Sequence, residues 1–163
     1  MALVHEQLYN SDNLALINFG TYLKELVQSL QVSYGIDTNR ITTRIDCPKI
    51  FIGIDTAIPC GLIVNELISN CFKHAFPGDR QGNIEVRFFQ KGDDQIHLLV
   101  ADTGCGLAPE FNIMRTRSLG LKLVYNLVSH QLEGEIDILE KPGTCFAISF
   151  PYNSKLEKNR LML

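Results

Sequence analysis

Apolar residues recur every three or four positions between 58 and 76, where Leu62, Ile63, Leu67, Ile68, Cys71, Phe72 and Ala75 form one stripe. That spacing predicts a helix, with Pro59 at its start. A second stripe, Tyr22, Leu23, Leu26, Val27 and Leu30, predicts a helix over 20–34 that Gly35 ends. A third helix is predicted from about 119 to 132. Between them the period drops to two. Ile41, Thr43 and Ile45 alternate with polar residues, as do Ile84, Val86, Phe88 and Ile96, Leu98, Val100. These runs predict strands over 40–47, 83–90 and 95–101, the last two forming a hairpin around Gly92-Asp93-Asp94. Short strands are expected at 14–19 and 51–54, and a closing hairpin at 134–140 and 144–150 turns through Lys141-Pro142-Gly143. The order predicts an α+β fold: a two-layer α/β sandwich with helices on one face of a mixed, mostly antiparallel sheet.

At 163 residues the chain is long enough for one domain with a substantial core. The expected division is an opening helix remnant over 1–12, a domain over 13–152 and a tail over 153–163, frayed or lying on the surface. A net charge of −3 gives no broad basic surface, which argues against a nucleic-acid binder. The five cysteines form no CxxC pair, so a reducing cytoplasm is expected rather than a disulfide framework or zinc site. No apolar run approaches the roughly 20 residues that cross a bilayer, so no membrane contact by this stretch is expected.

The predicted helix over 58–76 carries a second strip, Glu66, Asn70, Lys73 and His74. Residues three or four apart sit above one another on a helix, so these groups can converge on one ligand. A carboxylate, an amide oxygen and an ammonium in one column suit a metal-bound polyphosphate, though an ordinary polar helix face looks the same. Asp102-Thr103-Gly104-Cys105-Gly106-Leu107 puts an acid at a strand end, followed by two glycines that let backbone approach a flat ligand. Ser118-Leu119-Gly120-Leu121 opens a helix whose free N–H groups suit phosphate, with Ser118 as the N-cap. Thr144 in Gly143-Thr144-Cys145-Phe146 offers a hydroxyl to a pocket wall. Each motif alone is equally a common turn or cap.

The combination is specific where the parts are not. NELISNCFKHAF, DTGCGL, SLGLKLV and GTCF, in this order and at these separations, closely resemble the ATP-binding module of sensor histidine kinases. That module belongs to a superfamily shared with gyrase, the heat-shock chaperone ATPases and the mismatch-repair ATPases. The resemblance covers about residues 14–151 and implies the Bergerat-type ATP-binding fold, with ATP and Mg²⁺ as ligands. It implies that Asn70 coordinates Mg²⁺ and that Glu66 orients metal or water and acts in catalysis. Lys73 and His74 match positions near the phosphates and ribose. Asp102 matches the aspartate that reads the adenine amino group, with Gly104, Gly106 and Leu107 along that wall. Leu119, Gly120 and Leu121 match the glycine box under the phosphates, and Thr144 a threonine near adenine.

The departures are informative. The segment 108–117 is short for a nucleotide lid and lacks a phenylalanine-rich box, and Arg115 and Arg117 are within it. Ser118 stands where glycine is common. The opening MALVHEQLY resembles the end of a dimerisation helix, yet none of His5, His74, His97 and His130 sits in a phosphoacceptor motif. The expected function is therefore the catalytic, ATP-binding part of a histidine kinase. Its expected partners are the dimerisation and phosphoacceptor helices of a parent kinase and a downstream response regulator. Two other functions share these motifs: an anti-sigma-type protein-serine kinase, and a nucleotide-binding regulatory module without phosphotransfer.

Overall fold

The computed structural model describes residues 16–162. The 1–12 segment, His5 and the start of the 14–19 strand lie outside the described residues. Chain order is β1 (Ile17–Asn18), α1 (Phe19–Ser33), β2 (Ile41–Asp46), β3 (Phe51–Ile52), α2 (Ile54–Asn70), β4 (Gly82–Lys91) and β5 (Gln95–Asp102). A 3₁₀ turn (Ile113–Arg115), α3 (Leu119–Asn126) with a π-helical turn after it (Leu127–Gln131), β6 (Glu135–Lys141), β7 (Gly143–Pro151) and α4 (Ser154–Leu161) complete it.

Five strands form one sheet in the order β2-β4-β5-β7-β6. Only β2 and β4 run parallel; the other three pairings are antiparallel. Strand alternation puts Ile84, Val86, Phe88, Ile96, Leu98, Val100, Phe146, Ile148 and Phe150 on one buried face. The helices cover that face, α1 against α2 and α2 against α3. Phe19, at the first turn of α1, meets Phe88 with ring centroids 4.4 Å apart. Burying a side chain of this size contributes about 2–3 kcal/mol, so the alternating sheet face and the helix stripes together select this layer arrangement. The expected two-layer sandwich is what the chain forms.

Three element boundaries differ from the sequence expectation. Helix α2 begins at Ile54 rather than 58, because Gly53 turns the chain and its carbonyl accepts the Thr56 and Ala57 amides at 3.1 and 2.9 Å. Ile54 therefore belongs to the helix rather than to a strand, and Pro59 lies inside the helix rather than at its start. Among the described residues the β1 pairing spans two residues and ends at Asn18, which already caps α1 by accepting the Thr21 amide at 3.3 Å. The tail, expected to be frayed or on the surface, forms a helix that Asn153 caps by accepting the Lys155 and Leu156 amides. The helix lies on the surface, with Leu156 exposed and Glu157 against Gly53 at the start of α2.

Beyond Asn70, α2 continues as a wider π-helical turn over Cys71–Ala75. The Ala75 carbonyl at its end accepts the Cys105 amide at 2.9 Å, which ties the helix to the loop after β5. A second tie comes from the residue just before the edge strand β2. One guanidinium nitrogen of Arg40 donates to the Phe76, Gly78 and Arg80 carbonyls at 3.4, 3.1 and 2.9 Å. Arg80 in turn donates to the Thr103 and Gly104 carbonyls at 3.4 and 3.1 Å. Arg40→Ala is expected to cost about 1.5 kcal/mol and to lower Tm by roughly 3–6 °C. A melting curve unchanged from wild type would show that the clasp does not hold this loop.

Candidate nucleotide site

A cavity of about 250 Å³ opens where α2, the end of β5, the start of β7 and the approach to α3 meet. Helical spacing brings Leu67, Asn70, Cys71 and His74 onto the wall facing it, with Ala75 closing the end. Asp102, Gly106, Leu107 and Thr144 form the opposite side, and Phe111, Thr116, Ser118 and Leu121 the rim toward the lid. An adjoining cleft of about 380 Å³ lies between residues 105–111 and the β6–β7 hairpin, sharing Gly106, Leu107, Phe111 and Thr144 with it. Apolar walls with a few convergent polar groups are the usual composition of a small-molecule site.

Asp102 is held in one orientation. Its Oδ1 accepts the Gly104 amide at 2.8 Å and the Thr144 amide at 3.4 Å. Its Oδ2 accepts the Cys71 thiol at 3.5 Å. The thiol is buried, and burial first, then the Asp102 charge, push its pKa well above the usual thiol range. It therefore stays protonated and able to donate.

The glycines around Asp102 are steric requirements. A Cβ at Gly104 would overlap the Ala75 carbonyl oxygen, and one at Gly143 would overlap the Asp102 carbonyl. Gly143 also has φ of +100°, a conformation that side-chain-bearing residues rarely adopt. Gly106, with φ of +75°, passes close to Gly143 and brings backbone to the cavity wall.

The N-terminus of α3 faces α2. Ser118 Oγ accepts the Leu121 amide at 3.3 Å, the N-cap its sequence predicts. A Cβ on Gly120 would overlap the end of the Glu66 side chain, so the Glu66 carboxylate lies against the first turn of α3. Such a position favours a negative group.

The structure thus brings Asn70, His74, Asp102, Gly106, Leu107, Leu121 and Thr144 to one cavity. It places the other residues around it. Gly104 packs beneath Ala75, and Glu66 and Gly120 meet at the α3 N-terminus. Leu119 is 82% exposed. Lys73 is exposed, with its ammonium 5.8 Å over the Tyr34 ring rather than in the cavity wall. Arg115 and Arg117 are exposed on the lid. Sequence reasoning missed Cys71 as a site residue, since it reads as one of the core stripe. It also missed Phe111, whose signal was an isolated aromatic in a polar loop.

The donor set fits the ligands the motifs imply. Asp102 Oδ2 has lone-pair capacity beyond the thiol bond for an amino group, and the apolar walls suit a flat ring. Among the described residues no three His, Cys, Asp or Glu side chains cluster as a metal site. Asn70 lines the cavity, and its side chain carries one amide oxygen, which fits a cation whose other ligands come from phosphate and water.

The sequence profile of the histidine kinase-, DNA gyrase B- and HSP90-like ATPase family matches residues 56–154. The chain belongs to this family. The matched region contains α2 from Thr56 onward, the Asp102 loop, α3 and Thr144, which build the cavity. A histidine kinase profile matches residues 1–34, reaching through α1. Sensor histidine kinase PdtaS of Mycobacterium tuberculosis is 30% identical over 112 residues, 67% of this chain and 22% of that protein. Blue-light-activated histidine kinase 2 of Erythrobacter litoralis is 24% identical over 141 residues, 86% of this chain and 40% of that protein. The chain therefore spans between about a fifth and two fifths of these relatives' length. Among solved structures, the Erythrobacter litoralis EL346 blue-light activated histidine kinase superposes with a TM-score of 0.77 at 23% identity, over 92% of this chain and 50% of that one. That likeness shows the ATPase-family fold, a mixed five-stranded sheet with helices on one side. Among the described residues no helix is long and apolar enough to cross a membrane.

Proposed function

We propose that this chain is the ATP-binding catalytic domain of a sensor histidine kinase, acting in the cytoplasm on Mg·ATP. The observation that carries the reading is Asp102, fixed from three donors at the side of a cavity that α2 lines with Asn70 and His74. Asp102 Oδ2 accepts the adenine amino group, while Thr144 and the backbone at Gly106 pack along the base. Asn70 would hold Mg²⁺ through its amide oxygen. Bound Mg²⁺ supplies charge neutralisation on the phosphates. The first turn of α3 offers backbone N–H groups to the phosphate chain, and Gly120 leaves room there for the Glu66 carboxylate. Glu66, beside that turn, orients the attacking group or accepts its proton. Lys73 reaches the phosphates by leaving the Tyr34 ring. The γ-phosphate is then presented to a histidine on the phosphoacceptor helices of a parent protein, with a response regulator downstream. The histidine kinase profile over residues 1–34 and the histidine kinase relatives support this choice among the ATPases of the family.

Transfer is tested by mixing the chain with γ-labelled ATP and the histidine-bearing helices of its parent. Acid-labile phosphohistidine is the expected product, whereas acid-stable phosphoserine on a partner protein would favour the anti-sigma-type reading. Asn70→Asp is expected to lose the Mg²⁺-dependent part of ATP affinity, about tenfold or more, with an unchanged circular dichroism spectrum. A variant whose ATP affinity still rises normally with Mg²⁺ would remove Asn70 from the metal.

A further inference from the structure

Cys71 sits one residue past Asn70, buried in the wall of the cavity, and its thiol donates to Asp102 Oδ2 at 3.5 Å. The other carboxylate oxygen, Oδ1, already has two backbone partners, the Gly104 and Thr144 amides. Oδ2 is therefore the oxygen left for a ligand, and the only side chain bonded to it among the described residues is the Cys71 thiol. We infer that Cys71 is a positioning residue for base selection: its thiol fixes Asp102 Oδ2 at the angle that accepts the amino group of adenine. This inference rests on the nucleotide reading above.

Three features make the thiol suited to this work. A carboxylate oxygen can accept two donors, so the thiol occupies one direction and leaves the other for the ligand. The backbone amides fix where Oδ1 lies, but the carboxylate can still rock about that anchored edge; a bond at Oδ2 stops the rocking. Cys71 also lies on the π turn that ends at Ala75, whose carbonyl anchors the Cys105 amide. Thiol and loop are thus held by the same turn of backbone.

Removing the thiol should act through Asp102 and not through general packing. For Cys71→Ala, ATP affinity is expected to fall about fivefold, equivalent to about 1 kcal/mol. Binding of purine riboside triphosphate, which lacks the 6-amino group, should change little. The ratio of the two affinities is the decisive quantity, because a loss of packing would weaken both nucleotides alike. Cys71→Ser keeps a donor at the same place and should restore most of the ratio. In an Asp102→Asn background, Cys71→Ala should no longer alter the ratio.

The experiment is a calorimetric titration of the full chain and these variants with both nucleotides. A Raman difference spectrum, wild type minus Cys71→Ala, isolates the Cys71 S–H stretch without nucleotide. The band should lie at the lowered frequency of a donating thiol and move up in Asp102→Asn. An unchanged nucleotide ratio in Cys71→Ala, or a free-thiol S–H band in wild type, overturns the inference while leaving the nucleotide reading in place. A folded wild-type chain that binds neither nucleotide overturns both.

Discussion

Asp102→Asn is expected to reduce ATP affinity by about 100-fold, near 3 kcal/mol, while the chain stays folded. The amide retains one carbonyl oxygen, which can still accept the Gly104 and Thr144 amides that now meet Oδ1. It then turns an NH₂ toward the position of Oδ2, where the Cys71 thiol and the adenine amino group are both donors. Donors face a donor, and the cost is that of an unsatisfied buried polar contact rather than of a lost bond alone. Melting temperature and circular dichroism should move little, since both backbone amides keep a partner. Fluorescence or calorimetric binding measures the affinity. A variant that binds ATP as wild type does would remove Asp102 from adenine recognition.

Gly143→Ala is expected to cost the fold rather than only the site, by about 3 kcal/mol or more. The new methyl would overlap the Asp102 carbonyl, which is backbone and cannot swing aside. The residue would also have to hold φ of +100°, which an L side chain strongly disfavours. Relief requires the β6–β7 turn to move away from β5, and the adjoining Thr144 amide would move with it. Tm should fall by roughly 6–12 °C, and ATP affinity should fall with it. A variant melting within a degree of wild type would show that this turn relaxes without disturbing the sheet.

The layer architecture was legible because period-two and helical stripes were long and unambiguous. Ile84, Val86 and Phe88 alternate cleanly, and each is buried on the helix-covered face. The α2 start was misplaced for a local reason. Phe51, Ile52 and Ile54 look like one apolar strand, and Pro59 looks like a first helical residue, but the turn at Gly53 divides them. The tail lacked an apolar stripe, so its helix was hidden; its visible signal was the Asn153 cap. Within the site, the motif residues Asn70, Asp102 and Thr144 could be picked out because polar groups and glycines stood at unusual places. Cys71 could not. On a helix stripe a cysteine reads as a small apolar residue, and only the fold reveals that Asp102, 31 positions away, lies against it. Lys73 shows the converse: the sequence names a cation in the polar column, and the structure rests it on Tyr34, a residue from the end of α1.

The most direct test of the account is a calorimetric titration of the purified chain with a non-hydrolysable ATP analogue, with and without Mg²⁺. The account predicts saturable one-to-one binding that Mg²⁺ strengthens. A folded chain that takes up no nucleotide under either condition would contradict it.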